Sequence, residues 1–101
     1  MKPLTDNNFE AEVAQGRTTV LFMAKWAGPC KFALQEFMEA SKVNDVGAEF
    51  ATFDVDDNPK IPHLFGLKGV PCFMTFEDGR PLASVVGNIP LESILDITRV
   101  T

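Results

Sequence analysis

The chain has 101 residues, 46% of them hydrophobic, and a net charge of −5. That length suits one domain over residues 1–101 with a core that needs no disulfide staples. The acidic balance argues against nucleic acid or an anionic membrane as the main partner, and no apolar run approaches the roughly 20 residues of a bilayer crossing. Met1 to Asp6 lacks the apolar core of a signal peptide, so the expected location is the cytoplasm, with the two cysteines as free thiols.

Thr5, Asp6, Asn7 and Asn8 offer N-caps for a first short helix that carries Phe9 and Val13 on one face and ends near Gly16. Thr18 to Ala24 is nearly continuous apolar and β-rich, the pattern of a strand covered on both faces. Trp26-Ala27-Gly28-Pro29-Cys30 follows, and Pro29 suits the first turn of a helix. Cys30 therefore falls on a strand-to-helix turn, where backbone N–H groups and the helix dipole favour a thiolate. A dithiol site needs a second cysteine three residues earlier, and position 27 is alanine. In the helix itself, Phe32, Ala33, Phe37 and Ala40 mark the expected buried face, with Lys31, Gln35 and Glu39 toward water.

Glu49 to Val55 reads as a second buried strand, stopped by Asp56-Asp57-Asn58-Pro59. The segment 60–69 holds Pro62 and two glycines, so any helix there is short. Cys72 to Phe76 and Leu82 to Val86 form a hairpin about Glu77-Asp78-Gly79-Arg80, Gly87 breaks it, and Pro90 opens a last helix with Leu91, Ile94, Leu95 and Thr98 on one face. After the first helix the order is βαβαββα, which calls for a mixed sheet with helices on both faces.

Outside the Trp26–Cys30 stretch, isolated residues suggest little chemistry. His63 has no cysteine or carboxylate at ligand spacing, so no metal is expected, and nothing brings it to Cys30 as a hydrolase pair. Asp54, Asp56 and Asp57 lack the glycine and distal glutamate of a calcium loop and read as a solvated turn. Cys72 reads as a small core residue pointing to the opposite face from Pro71, which disfavours a Cys30–Cys72 bridge. Most phenylalanines read as core, Phe32 included, whereas Phe65 is assigned to an exposed rim.

The stretch 24–31, Ala-Lys-Trp-Ala-Gly-Pro-Cys-Lys, resembles the A-x-W-C-G-P-C-K motif of the thioredoxin family. Asp54-Val55-Asp56-Asp57-Asn58-Pro59, Gly69-Val70-Pro71 and Phe76-Glu77-Asp78-Gly79-Arg80 before Val86-Gly87 extend the likeness nearly end to end. The resemblance implies the α/β thioredoxin fold, a mixed central sheet of about five strands with helices on both faces. It implies protein disulfide exchange without a bound cofactor, disulfide-bearing client proteins as partners, a thioredoxin reductase for recycling, and a monomer. Cys30 corresponds to the resolving thiol and Ala27 to the position of the missing nucleophile. Trp26, Gly28, Pro29, Val70, Pro71 and Gly87 correspond to the client-binding surface, with Pro71 as the cis-proline and Gly87 leaving room for the client.

Four positions depart from the family pattern. A methyl group at Ala27 cannot attack a disulfide, and the otherwise intact surround favours an engineered Cys-to-Ala change over drift in a natural paralogue. Leu21 and Thr52 replace the family's buried Asp and its Lys neighbour, which implies either slower resolution of mixed disulfides or two simple core residues. Gln35 replaces a helix-kinking proline. Three readings follow: a disulfide reductase lacking its nucleophile, a redox-inactive module that binds a partner through Trp26, Val70, Pro71 and Ile61, and a one-cysteine redox protein working through Cys30.

Overall fold

A computed structural model describes residues 1–25 and 28–101. The strands are β1 (Lys2–Leu4), β2 (Arg17–Met23), β3 (Glu49–Asp54), β4 (Cys72–Glu77) and β5 (Arg80–Val86). The helices are α1 (Phe9–Val13), α2 (Gly28–Val43), α3 (Lys60–Leu64) and α4 (Leu91–Thr98). One sheet takes the order β1-β3-β2-β4-β5. The strands β1 and β2 run parallel to β3, β4 is antiparallel to β2, and β5 is antiparallel to β4. This is the mixed five-stranded α/β sheet of the thioredoxin fold.

Side-chain alternation divides the core into two. On one face Val20, Phe22, Phe53, Cys72, Met74 and Phe76 meet Phe9 and Val13 of α1 and Ile61 of α3. On the other, Leu21, Phe50 and Phe73 meet Ala33, Phe37 and Ala40 of α2 and Ile94 and Leu95 of α4. Because β2 lies at the centre and is covered on both sides, its interior from Thr18 to Phe22 is wholly buried, which explains the continuous apolar run Val20 to Phe22. Three buried threonines join the sheet to α4. Thr19 Oγ1 lies 2.9 Å from both Thr75 Oγ1 and Thr98 Oγ1, and the Thr98 hydroxyl donates to the Ile94 carbonyl at 2.8 Å.

The hairpin forms as its turn chemistry dictates. Asp78 and Gly79 both take positive φ, 50° and 85°, between the paired Glu77 and Arg80. The register slips between Thr75 and Phe76, a bulge that leaves Leu82 as the extra residue.

Several expectations need correction. The strand Lys2–Leu4 is absent from the sequence reading because three residues, one of them proline, carry no measurable period. Phe32 is 51% exposed, since the buried stripe of α2 runs through Cys30, Ala33, Phe37 and Ala40 and leaves Phe32 one position outside it. Phe65 packs against the core, its ring centroid 5.7 Å from that of Phe9 and 5.6 Å from that of Phe76, rather than forming a rim. Of the four N-cap candidates for α1, Asp6 serves another helix. Thr5 and Asn8 bond reciprocally ahead of α1, while the Asp6 carboxylate accepts from the backbone N–H groups of Lys60 and Ile61 and so caps α3.

Candidate functional site

The register gathers distant segments at one end of the sheet. Met23 at the end of β2 pairs with Asp54 at the end of β3, Phe22 pairs with Cys72 at the start of β4, and Cys72 pairs with Val86 at the end of β5. The chain leaving β2 enters α2 at this end, and the Val70–Pro71 step enters β4 there. Candidate residues separated by up to 60 positions in sequence thus share one edge of the fold.

Cys30 occupies the first turn of α2 and is 1% exposed. The Ala24 backbone N–H donates to its Sγ at 3.4 Å, a contact from just beyond the end of β2 to the first turn of α2. Gly28 and Pro29 precede it and are exposed, and a Cβ built on Gly28 would meet nothing within 4 Å. Trp26 and Ala27 lie outside the described residues. Leu21, fully buried in the face that α2 covers, sits opposite the half-buried Thr52 in the β2–β3 register. An apolar side chain and a hydroxyl thus stand where the resemblance implied an ion pair.

The Val70–Pro71 peptide bond is cis, with Pro71 buried and Val70 half-buried. Gly87 donates its N–H to the Pro71 carbonyl at 2.8 Å and adopts φ +108°, a conformation that L side chains rarely take. A Cβ there would still meet nothing within 4 Å, so the space beside Pro71 is open. A shallow depression borders this step, lined by Val55, Pro62, Leu67, Lys68, Gly69 and Val70. Val86, 55% exposed, stands next to it, its Cγ1 3.7 Å from where a Cβ on Gly69 would lie.

Ile61 does not join this surface. It is 2% exposed and belongs to the core beneath α1 and α3, because its position in α3 turns it inward. Sequence reasoning missed Val86, whose strand alternation alone marks it as outward, and missed the 3.7 Å ion pair between Lys25 and Asp54 that ties the exit of β2 to the end of β3. Asp54 Oδ1 also accepts from the Asp56 N–H at 2.9 Å, and the Asn58 side chain donates to the Asp54 carbonyl at 3.1 Å, so the acidic stretch is a self-capped turn.

The second cysteine has a different environment. Cys72 is 1% exposed, and its side chain lies in the cluster on the α1 and α3 face, away from the face that α2 covers. Burial pushes its thiol up to about 11. Both cysteines are free. Among the described residues no group of three potential metal ligands occurs, and no helix is long and apolar enough to cross a membrane.

Known proteins share this arrangement of sequence. The Thioredoxin family model matches residues 1–99. A thioredoxin of Staphylococcus haemolyticus is 34% identical over 94 residues, covering 93% of this chain and 90% of that protein. A thioredoxin of Rhodospirillum rubrum is 32% identical over 98 residues, covering 95% and 94% respectively. One of Listeria monocytogenes is 29% identical over 97 residues, covering 96% and 94%. The chain belongs to the thioredoxin family of thiol–disulfide oxidoreductases.

Proposed function

We propose that this chain is a thioredoxin-type protein-disulfide exchange scaffold whose nucleophilic cysteine is replaced by Ala27, with Cys30 as the resolving thiol. The observation that carries the reading is the placement of Cys30, buried in the first turn of α2 at the same sheet end as Val70–Pro71 and Gly87. The intact Trp26, Gly28, Pro29, Cys30 and Lys31 around it support an engineered Cys-to-Ala change.

The chemistry follows from the two positions. With cysteine at 27, its thiolate attacks one sulfur of a client disulfide, forming a mixed disulfide and expelling the other client sulfur as a thiolate. The Cys30 thiolate then attacks the sulfur at position 27 and releases the second client thiol. The client gains two electrons, and the scaffold is left with a 27–30 disulfide that a thioredoxin reductase returns to the dithiol. Trp26, Gly28 and Pro29 form one side of the client surface. The Val70 backbone pairs with an extended client segment, and the bare Cα of Gly87 leaves room for it. As it stands, with a methyl group at 27, the chain docks such a segment without exchanging sulfur. Two free thiols suit a reducing compartment, so the setting is the cytoplasm and the working form a monomeric domain over 1–101.

The test is insulin reduction with dithiothreitol, comparing the Ala27→Cys protein with the unaltered chain. Strong turbidity from the former alone is expected. Inactivity of both overturns this reading in favour of a redox-inactive binding module. That second reading is favoured by one observation, the open space beside Gly87, which persists whatever stands at position 27. It predicts a partner that binds the Ala27 form equally under oxidising and reducing conditions.

A further inference from the structure

The face of α2 turned away from the sheet carries an arrangement that disulfide exchange does not use. Phe32 and Met38 are 51% and 46% exposed. Single apolar side chains at a surface need no explanation, but these two share one shallow depression with Gln35, Glu36 and Glu39. Positions 32, 35, 36 and 39 follow the spacing of one helical stripe, and Met38 lies three residues beyond Gln35. Phe32 supplies a rigid aromatic surface and Met38 an adaptable one, the combination that recurs where a partner's apolar side chain must be gripped.

The charges around this depression select the partner. Glu36 makes no ion pair among the described residues. Glu39 meets only Lys42, at 3.3 Å, and with both side chains well exposed that pair is weak and exchangeable. Lys31 stands one turn before Gln35 and does not line the depression, whose charged lining residues are Glu36 and Glu39. A second copy of this chain would bring the same carboxylates against themselves, and like charges in contact oppose that pairing. The net charge of −5 adds attraction toward a cationic partner at longer range.

We propose that the Phe32–Met38 face of α2 is a second docking surface, for a protein segment that sets an apolar side chain among lysines or arginines. The apolar side chain enters between Phe32 and Met38 while its basic neighbours reach Glu36 and Glu39. Phe32 lies two residues beyond Cys30 but on the exposed side of α2, whereas Cys30 is buried. The surface does not depend on a cysteine at position 27.

The experiment is a titration of the nitrogen-15-labelled chain with a short amphipathic Leu/Lys peptide, followed by amide shifts, with a Leu/Glu peptide of the same pattern as control. Expected are shifts confined to residues 32–39 with the Leu/Lys peptide and none with the control. Binding should weaken by about tenfold or more in Phe32→Ser/Met38→Ser and again in Glu36→Gln/Glu39→Gln. All four side chains lie outside the buried stripe, so both variants retain the fold, which circular dichroism verifies. Shifts centred instead on the Val55–Val70 depression, equal affinity in the variants, or no binding of the Leu/Lys peptide overturn the proposal. So does a dimer in sedimentation equilibrium that Phe32→Ser abolishes.

Discussion

Two buried residues of this chain carry opposite lessons about polarity. Burial in apolar surroundings raises the Cys72 thiol to about 11, from the ordinary value of 9.0. Between those values the unfolded state alone releases a proton. The contribution to stability is therefore complete below pH 9.0 and is lost as pH rises toward about 11. Urea midpoints followed across that interval should fall steeply for the parent and less steeply for Cys72→Ala; parallel curves would contradict the assignment. Leu21 shows the converse. It is fully buried, so Leu21→Asp places a carboxyl in an apolar layer beside Thr52 and should cost about 3 kcal/mol or more in urea denaturation. In an Ala27→Cys background the same substitution should shorten mixed-disulfide lifetimes. Equal lifetimes would remove any role for that position in moving the proton of Cys30.

Among the helices, α3 is held at its N-terminus by a distant part of the chain. Asp6 Oδ1 accepts from Ile61 N–H at 2.9 Å and its Oδ2 from Lys60 N–H at 3.0 Å, while its own N–H donates to Asn58 Oδ1. Asp6→Ala should cost about 1 kcal/mol, the usual loss on removing a helix cap, and should speed amide exchange at Lys60 and Ile61 ahead of α2 and α4. Uniform exchange would show that the loop, not the cap, holds α3. Asp6 and Asn58 lie 52 residues apart, which is why Asp6 reads from sequence as a cap for the helix nearest to it. The long elements were legible because their periods repeat. The buried run of β2, the Asp78-Gly79 hairpin and the Ile94–Leu95–Thr98 stripe stand where those patterns placed them. Phe32 failed because one turn of helix cannot tell an apolar residue in the core stripe from one beside it. Of the candidate site, the motif order singled out Cys30, Val70, Pro71 and Gly87, and the strand register brings these positions to one end of the sheet. The approach of Val86 to Gly69 and the Lys25–Asp54 pair arise only in the folded chain, although alternation along β5 already turns Val86 outward.

At the scale of the whole molecule, the three threonines linking β2, β4 and α4 have a fixed sense. The Thr98 hydroxyl spends its proton on the Ile94 carbonyl, so toward Thr19 it can only accept. Thr19 must then give its proton to Thr98, and Thr75 must give its own to Thr19. The hydroxyls form a one-way relay that starts in the middle of the sheet and ends on the backbone of the last helix. Its members are therefore not equivalent. Thr75→Val removes the first donor and leaves every remaining proton placed, whereas Thr98→Val strands the Thr19 proton in a site without water access. The second should cost more, by about 1 kcal/mol, in thermal or urea unfolding. Equal losses would mean that the relay can reverse. A last helix whose backbone ends a directed chain of hydrogen bonds from β4 through β2 is keyed to its seat by direction as well as by shape.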